Sequence, residues 1–198
     1  MTGREKKHSC RYEELAGVLY PVLLKRMETQ TFHKITVQSL CRDAGIARQT
    51  FYLHFSNRDA LFCAYVDNIF EVFYQDIAGP VQQNLMPGAD ISTHLFAQWE
   101  EHQALARLIF ANGLESLLIG RFRGYIARVM GLYIRHHGIR VIDSERQAYM
   151  TDYLAGAFWM VLQRWVRTGF RYSAAQLAEL FTQLTEPGFT QAMFPRDG

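Results

Sequence analysis

The sequence predicts an all-α protein built in two parts, on three observations. Apolar residues recur at i, i+4, i+7 and i+8, as at Leu15, Leu19, Val22 and Leu23, which is the spacing of one face of an α-helix. No stretch alternates apolar and polar residues as a half-buried strand does. Residues 78–90 carry two Pro and two Gly and form the clearest break in the chain. We therefore expect helices on both sides of that break and essentially no β-sheet.

Three helices are predicted in the first 57 residues. The first spans residues 11–28 and follows a polar tail that we expect to be disordered. The second spans residues 36–44 and starts at Thr36, whose hydroxyl makes it a good N-cap. Gly45 then offers a turn residue that tolerates positive φ. The third helix follows the turn, at residues 47–55.

A fourth helix is predicted over residues 58–77, with Asn57 as its N-cap. Its apolar stripe is wide enough for a domain to pack on either side. We interpret it as the connector helix between an N-terminal domain at residues 1–57 and a C-terminal domain at residues 58–198.

Five more helices are predicted after the break. Their predicted bounds are residues 92–102, 103–111, 114–137, 144–168 and 173–184. The expected N-caps are Ser92 and Ser173, and the expected stops are Gly138, Gly169 and Pro187.

Positive charge concentrates at the N-terminal end of the chain. Residues 1–58 hold ten Lys or Arg against five Asp or Glu, whereas residues 59–198 hold eleven against fourteen. An excess of five positive charges is modest, but it lies where binding to a phosphate backbone would need it.

Composition and motifs exclude several classes of protein. No apolar run approaches the ~20 residues of a membrane span, and the charged N-terminus does not resemble a signal peptide, so we expect a cytoplasmic protein with no membrane partner. Cys41 and Cys63 lie in apolar helical patterns without CxxC spacing, which predicts buried thiols. His136 and His137 are adjacent and so point to different helix faces. We expect no enzymatic activity, no catalytic residue, no metal site and no cofactor.

Residues 36–55 have the pattern of a helix-turn-helix, whose second helix enters the major groove of DNA. Arg48 and Gln49 open that helix, and their side chains can bind guanine and adenine edges through paired hydrogen bonds. Other polar side chains can donate to phosphate oxygens, which position a protein without reading sequence. These are Thr36, Thr50, Tyr52, His54 and Arg58, with Gln38 placed to reach either bases or phosphates.

Structural alternatives stay open at three of these positions. Tyr52 could pack inward, His54 could be a capping or core residue, and Arg48 could be a solvated surface charge. Phe51 and Phe55 are four residues apart and therefore share a helix face, which we expect to belong to the core.

The segment ITVQSLCRDAGIARQTFYLHFSNRDALF, residues 35–62, closely resembles the DNA-binding signature of the TetR family of bacterial transcriptional regulators. The resemblance implies a three-helix helix-turn-helix domain, joined by the connector to a helical bundle for ligand binding and dimerisation. It also implies that Arg48 and Gln49 face the bases and that the other donors lie along the backbone. The family more often has Lys where Arg58 stands, and either cation suits a phosphate.

The same resemblance implies a function. A homodimer would bind a palindromic operator in double-stranded DNA, most often as a repressor, and a small-molecule inducer would release it. We expect such a ligand to tilt the connector helix and change the spacing of the two recognition helices.

The C-terminal half is rich in aromatic residues, and helices packed in this way often enclose a ligand cavity. The candidate ligand-binding residues are Trp99, Phe122, Tyr125, Tyr153 and Trp159. The resemblance implies dimerisation through the last two long helices. Residues 153–181 further resemble a TetR subgroup that includes regulators of dihydroxyacetone kinase operons, in which the partner at the pocket can be a protein.

One rival interpretation keeps the fold and changes the function. The chain could be a ligand- or protein-binding interaction module that does not act on DNA. The basic N-terminal excess and the donor-rich face from Arg48 to Tyr52 argue against it.

Overall fold

The computed structural model describes residues 3–83, 90–136, 138 and 143–193, whose regular secondary structure is helical with no strand among them. Side chains are not described for residues 3–11. The chain divides into two compact units, unit 1 at Met1–Ile69 and unit 2 at Phe70–Gly198.

Unit 1 holds the predicted helix-turn-helix. Its elements are α1 (Gly3–Thr29), a 3-10 helix (Phe32–Lys34), α2 (Val37–Asp43), α3 (Arg48–Tyr52) and the first half of α4 (Arg58–Gln82). Helix α2 packs against both α1 and α3. A small aromatic and aliphatic core lies between these helices, and its most fully buried side chains are Leu19, Leu23, Phe32, Leu40, Phe51, Leu61, Phe62 and Val66.

Local signals set the bounds of α2 as predicted. Thr36 is its N-cap, and its side chain accepts a hydrogen bond from Ser39 N while Ser39 Oγ accepts one from Thr36 N. This reciprocal capping box pairs two backbone donors that the helix itself cannot satisfy. Gly45 adopts a φ of 67° directly after the helix, a conformation that costs glycine nothing. The Arg26 guanidinium also donates to the Asp43 carboxylate at 2.7 Å, which ties α1 to α2.

Unit 2 contains the rest of α4 and five further helices. These are α5 (Asp90–Glu101), α6 (Gln103–Ala111), α7 (Glu115–His136), α8 (Ser144–Arg167) and α9 (Ala174–Met193). Helix α5 packs mainly on α9, and α7 packs mainly on α8. The interior is aromatic, with Trp99, Trp165, Phe73, Phe96, Phe122 and Phe158 almost completely buried.

Four predicted bounds were wrong. Helix α3 ends at Tyr52 and not at Phe55. Helix α1 begins at Gly3, so the predicted disorder of the tail does not hold for its residues from Gly3 on. Helix α4 continues through Pro80, where Val81 is buried. Helix α9 continues through Pro187 to Met193. A proline within a helix loses one hydrogen bond, and at Pro80 buried apolar area on the same turn offsets that loss.

One predicted cap also differs from the structure. Helix α5 begins at Asp90, so Ser92 lies inside it. The N-cap of α8 is Asp143, whose carboxylate accepts from Glu145 N. Ser173 does precede α9 as predicted, and it forms a capping box with Gln176.

Candidate nucleic-acid interface and ligand cavity

The start of α3 presents polar side chains to solvent. Arg48, Gln49 and Thr50 are all exposed, whereas Phe51, the next residue, is completely buried. Phe51 holds the helix against the unit 1 core through ring contacts with Phe55. The buried phenylalanine therefore fixes which face of this short helix points outward, and the two candidate base-reading side chains lie on that outward face.

A second set of donors lies at the start of α2. Thr36 and Gln38 are exposed there. The Thr36 hydroxyl oxygen accepts from Ser39 N, and a hydroxyl in that role can still donate its own proton. The first-turn N–H groups of a helix and its dipole also favour an anion at this end. This helix terminus is therefore suited to a phosphate group.

The two aromatic side chains among the candidate DNA contacts, Tyr52 and His54, differ in their exposure to solvent. Tyr52 is about half exposed, with a relative exposure of 49%, and its ring meets the edge of Phe51. The alternative in which Tyr52 packs inward does not describe this structure. His54 is half-buried, and its ring lies 5.9 Å from that of Tyr12. His54 thus combines a packing contact with a partly accessible ring.

Arg58 is the candidate whose surroundings differ most from those of an open phosphate ligand. One guanidinium nitrogen, Nη1, donates to the carbonyl oxygens of Phe32, His33 and Ile35 at 2.8–3.0 Å. Its Nε donates to Asp59 at 3.0 Å. Only 20% of the side chain is exposed. These contacts support a structural role for Arg58 beside its predicted phosphate contact.

The buried cysteines of unit 1 show no feature of a reactive site. Cys41 and Cys63 are both buried, as predicted. Burial raises the pKa of the Cys41 thiol, and the Arg48 charge opposes this rise without cancelling it. Because the thiolate is the reactive form, a raised pKa keeps Cys41 unreactive.

The aromatic residues predicted to bind a ligand mostly form the core of unit 2. Trp99, Phe122, Tyr125 and Trp159 are at most 5% exposed, and Tyr153 is 59% exposed. Phe70 stacks on Tyr125 with ring centroids 5.3 Å apart and contacts Phe122 at 5.8 Å. These rings therefore contact one another in the interior of unit 2. Their apolar character made them resemble a pocket, but close packing is the commoner fate of such residues.

A buried hydrogen-bond network holds this aromatic cluster. The Tyr125 hydroxyl donates to Gln98 Oε1 at 3.1 Å, and Gln98 Nε2 donates to the Phe73 carbonyl at 2.9 Å. Burial raises the pKa of Tyr125, so the phenol stays protonated and remains a donor. The indole N–H of Trp99 is buried without a hydrogen-bond partner, which is rare in folded proteins.

A partly open cavity of about 170 Å³ lies elsewhere in unit 2, among α5, α7, α8 and α9. Its apolar lining consists of Ile91, Leu95, Ile126, Val129, Met130, Leu154, Phe158, Phe181 and Phe189. Its polar lining consists of Ser92, Tyr133, Thr182, Thr185 and Glu186. None of the five predicted ligand residues lines it. No Lys, Arg or His is present among the described side chains of the lining.

Comparisons with known proteins identify the family. Residues 25–65 match the model of the bacterial regulatory proteins of the tetR family, and residues 89–187 match that of a transcriptional regulator C-terminal region named TetR_C_8. The chain belongs to the TetR family of bacterial regulatory proteins. This confirms the family and the all-α fold predicted from the sequence. It is thus a regulator by family, and no protein among those with curated descriptions matches it.

Solved structures of TetR-family regulators have the same fold. The dihydroxyacetone kinase operon activator DhaS aligns with a TM-score of 0.59 and 17% identity, over 89% of this chain and 96% of its own. The TetR family repressor AlkX from Dietzia sp. strain DQ12-45-1b, implicated in biodegradation of n-alkanes, aligns with a TM-score of 0.54 and 18% identity, over 88% and 97%. The fatty acid degradation regulator FadR from Bacillus halodurans aligns with a TM-score of 0.54 and 16% identity, over 94% and 96%. At these identities the likeness concerns the fold alone.

Two further observations concern the described part of this TetR-family chain. None of its helices is long and apolar enough to cross a bilayer. It contains no group of three or more His, Cys, Asp or Glu side chains placed to hold a metal ion.

Sequence reasoning missed the lining of the cavity in this TetR-family protein. The sequence pattern predicts an N-cap at Ser92. It predicts no site role for Thr182 and Thr185, because they lie in an ordinary amphipathic helix. Small hydroxyl side chains spaced three apart on a helix share a face, which is the only sequence signal that could have pointed to them.

Proposed function

We propose that the protein regulates transcription by binding a palindromic operator as a homodimer, with Arg48 and Gln49 of α3 reading bases in the major groove. The observation that carries this proposal is the outward face of α3, where these two side chains are exposed beside a completely buried Phe51. Thr36, Gln38, Thr50, Tyr52 and His54 surround this face with further donors, all exposed except the half-buried His54. Arg58 lies beside them with fewer free donors.

Selection of bound sequences from a random duplex pool, with the full-length chain, tests the proposal. We expect an enriched palindrome with two equal half-sites about one helical turn apart, or a multiple of it. The double variant Arg48→Ala, Gln49→Ala should enrich no palindrome, whereas Arg42→Ala is a matched control, since Arg42 is an exposed cation on α2. If the wild-type chain enriches nothing, the alternative of an interaction module that does not act on DNA replaces this proposal.

The homodimer is proposed from an apolar face that one chain leaves uncovered. Tyr149, Tyr153 and Met160 of α8 are exposed and spaced so that they share one side of the helix. Leu180 and Leu184 of α9 are exposed and four residues apart. A patch of this kind on a single chain commonly marks an interface.

The mass of the protein in solution, measured by light scattering after gel filtration, tests the dimer. We expect the mass of two chains for the wild type and of one chain for the double variant Met160→Glu, Leu184→Glu. The variant Val72→Glu should remain dimeric, because Val72 is an exposed apolar residue of α4 that lies outside this face. A single-chain mass for the wild type would remove the dimer.

We further propose that the cavity binds a small, mainly apolar ligand that releases the protein from its operator. A cavity of about 150 Å³ is known to hold a benzene-sized molecule, so about 170 Å³ suits one aromatic ring with a short substituent. The lining carries hydroxyls and the Glu186 carboxylate but no described cation, which favours a neutral or cationic ligand over a carboxylate.

Phenol, benzylamine and benzoate form a probe series of similar size and different charge. Phenol and benzylamine are expected to raise the thermal midpoint, because a ligand that binds only the folded state stabilises it, whereas benzoate is not. The variant Glu186→Gln should reduce the response to benzylamine and leave the response to phenol unchanged. A larger response to benzoate than to the other two would contradict the assignment.

Repression is the proposed sense of regulation, because a dimer bound across a promoter excludes the polymerase. A reporter gene placed behind the selected operator should be expressed less when the wild-type protein is present than when the Arg48→Ala, Gln49→Ala variant is. Higher expression with the wild-type protein would make it an activator.

A further inference from the structure

Arg58 is the first residue of α4, and its side chain contacts four residues of unit 1. Nη1 donates to the carbonyls of Phe32 at 2.9 Å, His33 at 3.0 Å and Ile35 at 2.8 Å. Nε donates to Asp59 Oδ1 at 3.0 Å. The guanidinium carbon lies 4.3 Å from the centroid of the Phe32 ring, within the range of a cation–π contact.

The three acceptor carbonyls have a common origin. They belong to the 3-10 helix Phe32–Lys34 and to Ile35, its C-cap residue. The Phe32 carbonyl also accepts a hydrogen bond from Ile35 N at 3.0 Å, and carbonyls towards the C-terminal end of a helix carry partial negative charge. A guanidinium is a suitable partner for such a cluster, because it is always charged and presents several donors in a fixed plane.

These carbonyls also lie just before α2, the first helix of the helix-turn-helix. Ile35 directly precedes Thr36, the N-cap of α2. Helix α2 leads through Gly45 to α3. Arg58 therefore joins the start of α4 to Ile35, the residue before the N-cap of α2.

We infer that Arg58 is a positioning residue for the helix-turn-helix. It holds the N-terminus of α2 at a fixed position relative to the start of α4, and thereby sets the orientation of α2 and α3. Its contribution to DNA binding acts through Thr36 and α3. The inference rests on the proposed DNA-binding function for its affinity readout, whereas its stability readout is independent of DNA.

A lysine can replace only part of this arrangement. An ammonium group can donate to the three carbonyls, but it has no plane to lie over the Phe32 ring and no Nε to bind Asp59. Arg58→Lys is therefore the conservative variant, and Arg58→Gln removes both the charge and the fork. Lys34→Gln is the matched control, because it removes one exposed positive charge from the 3-10 helix whose carbonyls Arg58 binds.

The experiment measures affinity for the selected operator and for unrelated DNA across a salt series, at a temperature where circular dichroism shows each full-length variant to be folded. We expect Arg58→Gln to bind the operator about tenfold more weakly, a shift typical of one lost interaction. The loss should be smaller for unrelated DNA, so that the specificity ratio falls. The slope of log affinity against log salt should change no more than it does in Lys34→Gln.

The second part of the experiment measures the thermal midpoint of each variant and how far Arg58→Lys recovers the wild-type values. Arg58→Gln should have a lower thermal midpoint than both the wild type and Lys34→Gln, and Arg58→Lys should recover part of the midpoint and part of the specificity ratio. If Arg58→Gln does not fold, the inference stands on Arg58→Lys alone. An Arg58→Lys chain with wild-type midpoint and wild-type specificity overturns it.

Two other results also overturn the inference. One is an Arg58→Gln chain of wild-type midpoint whose salt slope falls by about two more than that of Lys34→Gln, about one per subunit of the proposed dimer, which is the signature of a plain phosphate contact. The other is an Arg58→Gln chain with unchanged specificity ratio. Failure of the wild-type chain to bind any selected duplex would instead reject the proposed function.

Discussion

The side chains proposed to contact DNA in unit 1 stand on short helices held by caps and by one buried phenylalanine. Most of the aromatic side chains predicted to contact a ligand in unit 2 are packed against one another. Arg48 and Gln49 are exposed immediately before Phe51, which is fully buried, whereas Phe122 and Tyr125 are buried beside Phe70. An outward polar face follows from local helix geometry. A cavity depends on how distant helices fit, which no local pattern records.

The largest effect is expected from breaking the aromatic cluster. Phe122→Ala should lower the free energy of unfolding by about 3–5 kcal/mol, the usual cost of removing a buried ring. The control Val72→Ala, at an exposed site of α4, should stay within about 0.5 kcal/mol of the wild type. Chemical denaturation measures both. A tolerated Phe122→Ala would restore these rings as candidates for a ligand site and weaken the contrast between the units.

A pair of threonines sharpens the comparison within unit 1. Thr36→Ala removes the side-chain acceptor of the capping box and should cost about 1 kcal/mol of stability as well as operator affinity. Thr50→Ala, at an exposed site on α3, should lower affinity while stability changes by less than about 0.5 kcal/mol. Thermal unfolding and operator titration of the same samples separate the two effects. Equal stability losses would show that Thr50 is also structural.

The smallest effect is expected at the surface of unit 2. Arg128 donates to Glu71 at 2.7 Å and lies over the Tyr74 ring, and the hydrogen bond from Arg128 is the main reason that the pKa of Glu71 falls below its ordinary value of 4.5. A lowered carboxyl pKa contributes stability above the unfolded-state value, and this contribution is lost as the pH falls through the folded-state value. Because both side chains are about half exposed, the contribution should stay below about 1 kcal/mol.

A double-mutant cycle of Glu71→Gln and Arg128→Gln measures this pair. The coupling free energy should be present at pH 7 and should vanish in acid, below the folded-state pKa of Glu71. A coupling that persists unchanged at low pH would mean that the contact depends on packing on Tyr74 rather than on charge.

The sequence carried enough information to predict the family, the helical class and the positions of the caps of α2 and α9. Thr36, Gly45 and Ser173 act through their own backbone neighbourhood, so each could be recognised locally. The end of α4 was mispredicted because tertiary burial around Pro80 decides whether the helix passes that proline, and the passage of α9 through Pro187 has no such explanation in the structure. Arg58 could be placed at a helix start, but its three carbonyl partners lie 23–26 residues away in sequence.

The position of the cavity likewise could not be predicted from local sequence patterns. It is formed by four helices that meet only in the folded unit, and most of its lining is apolar and therefore indistinguishable from core in the sequence. Its helices α5 and α9 pack closely, although they are separated by more than 70 residues. Local sequence patterns predict a ligand site in the C-terminal half but do not identify the residues that line it.

The most direct test of the proposed recognition face is a cycle that pairs one protein change with one DNA change. Affinity is measured by fluorescence anisotropy for wild type and Arg48→Ala, each on the selected operator and on operators with one base pair substituted symmetrically in both half-sites. We predict one base position at which substitution costs the wild type about 1–3 kcal/mol per half-site and costs Arg48→Ala almost nothing, with all other positions unaffected by the variant. Equal substitution costs in both proteins at every position would contradict base reading by Arg48 and with it the central claim.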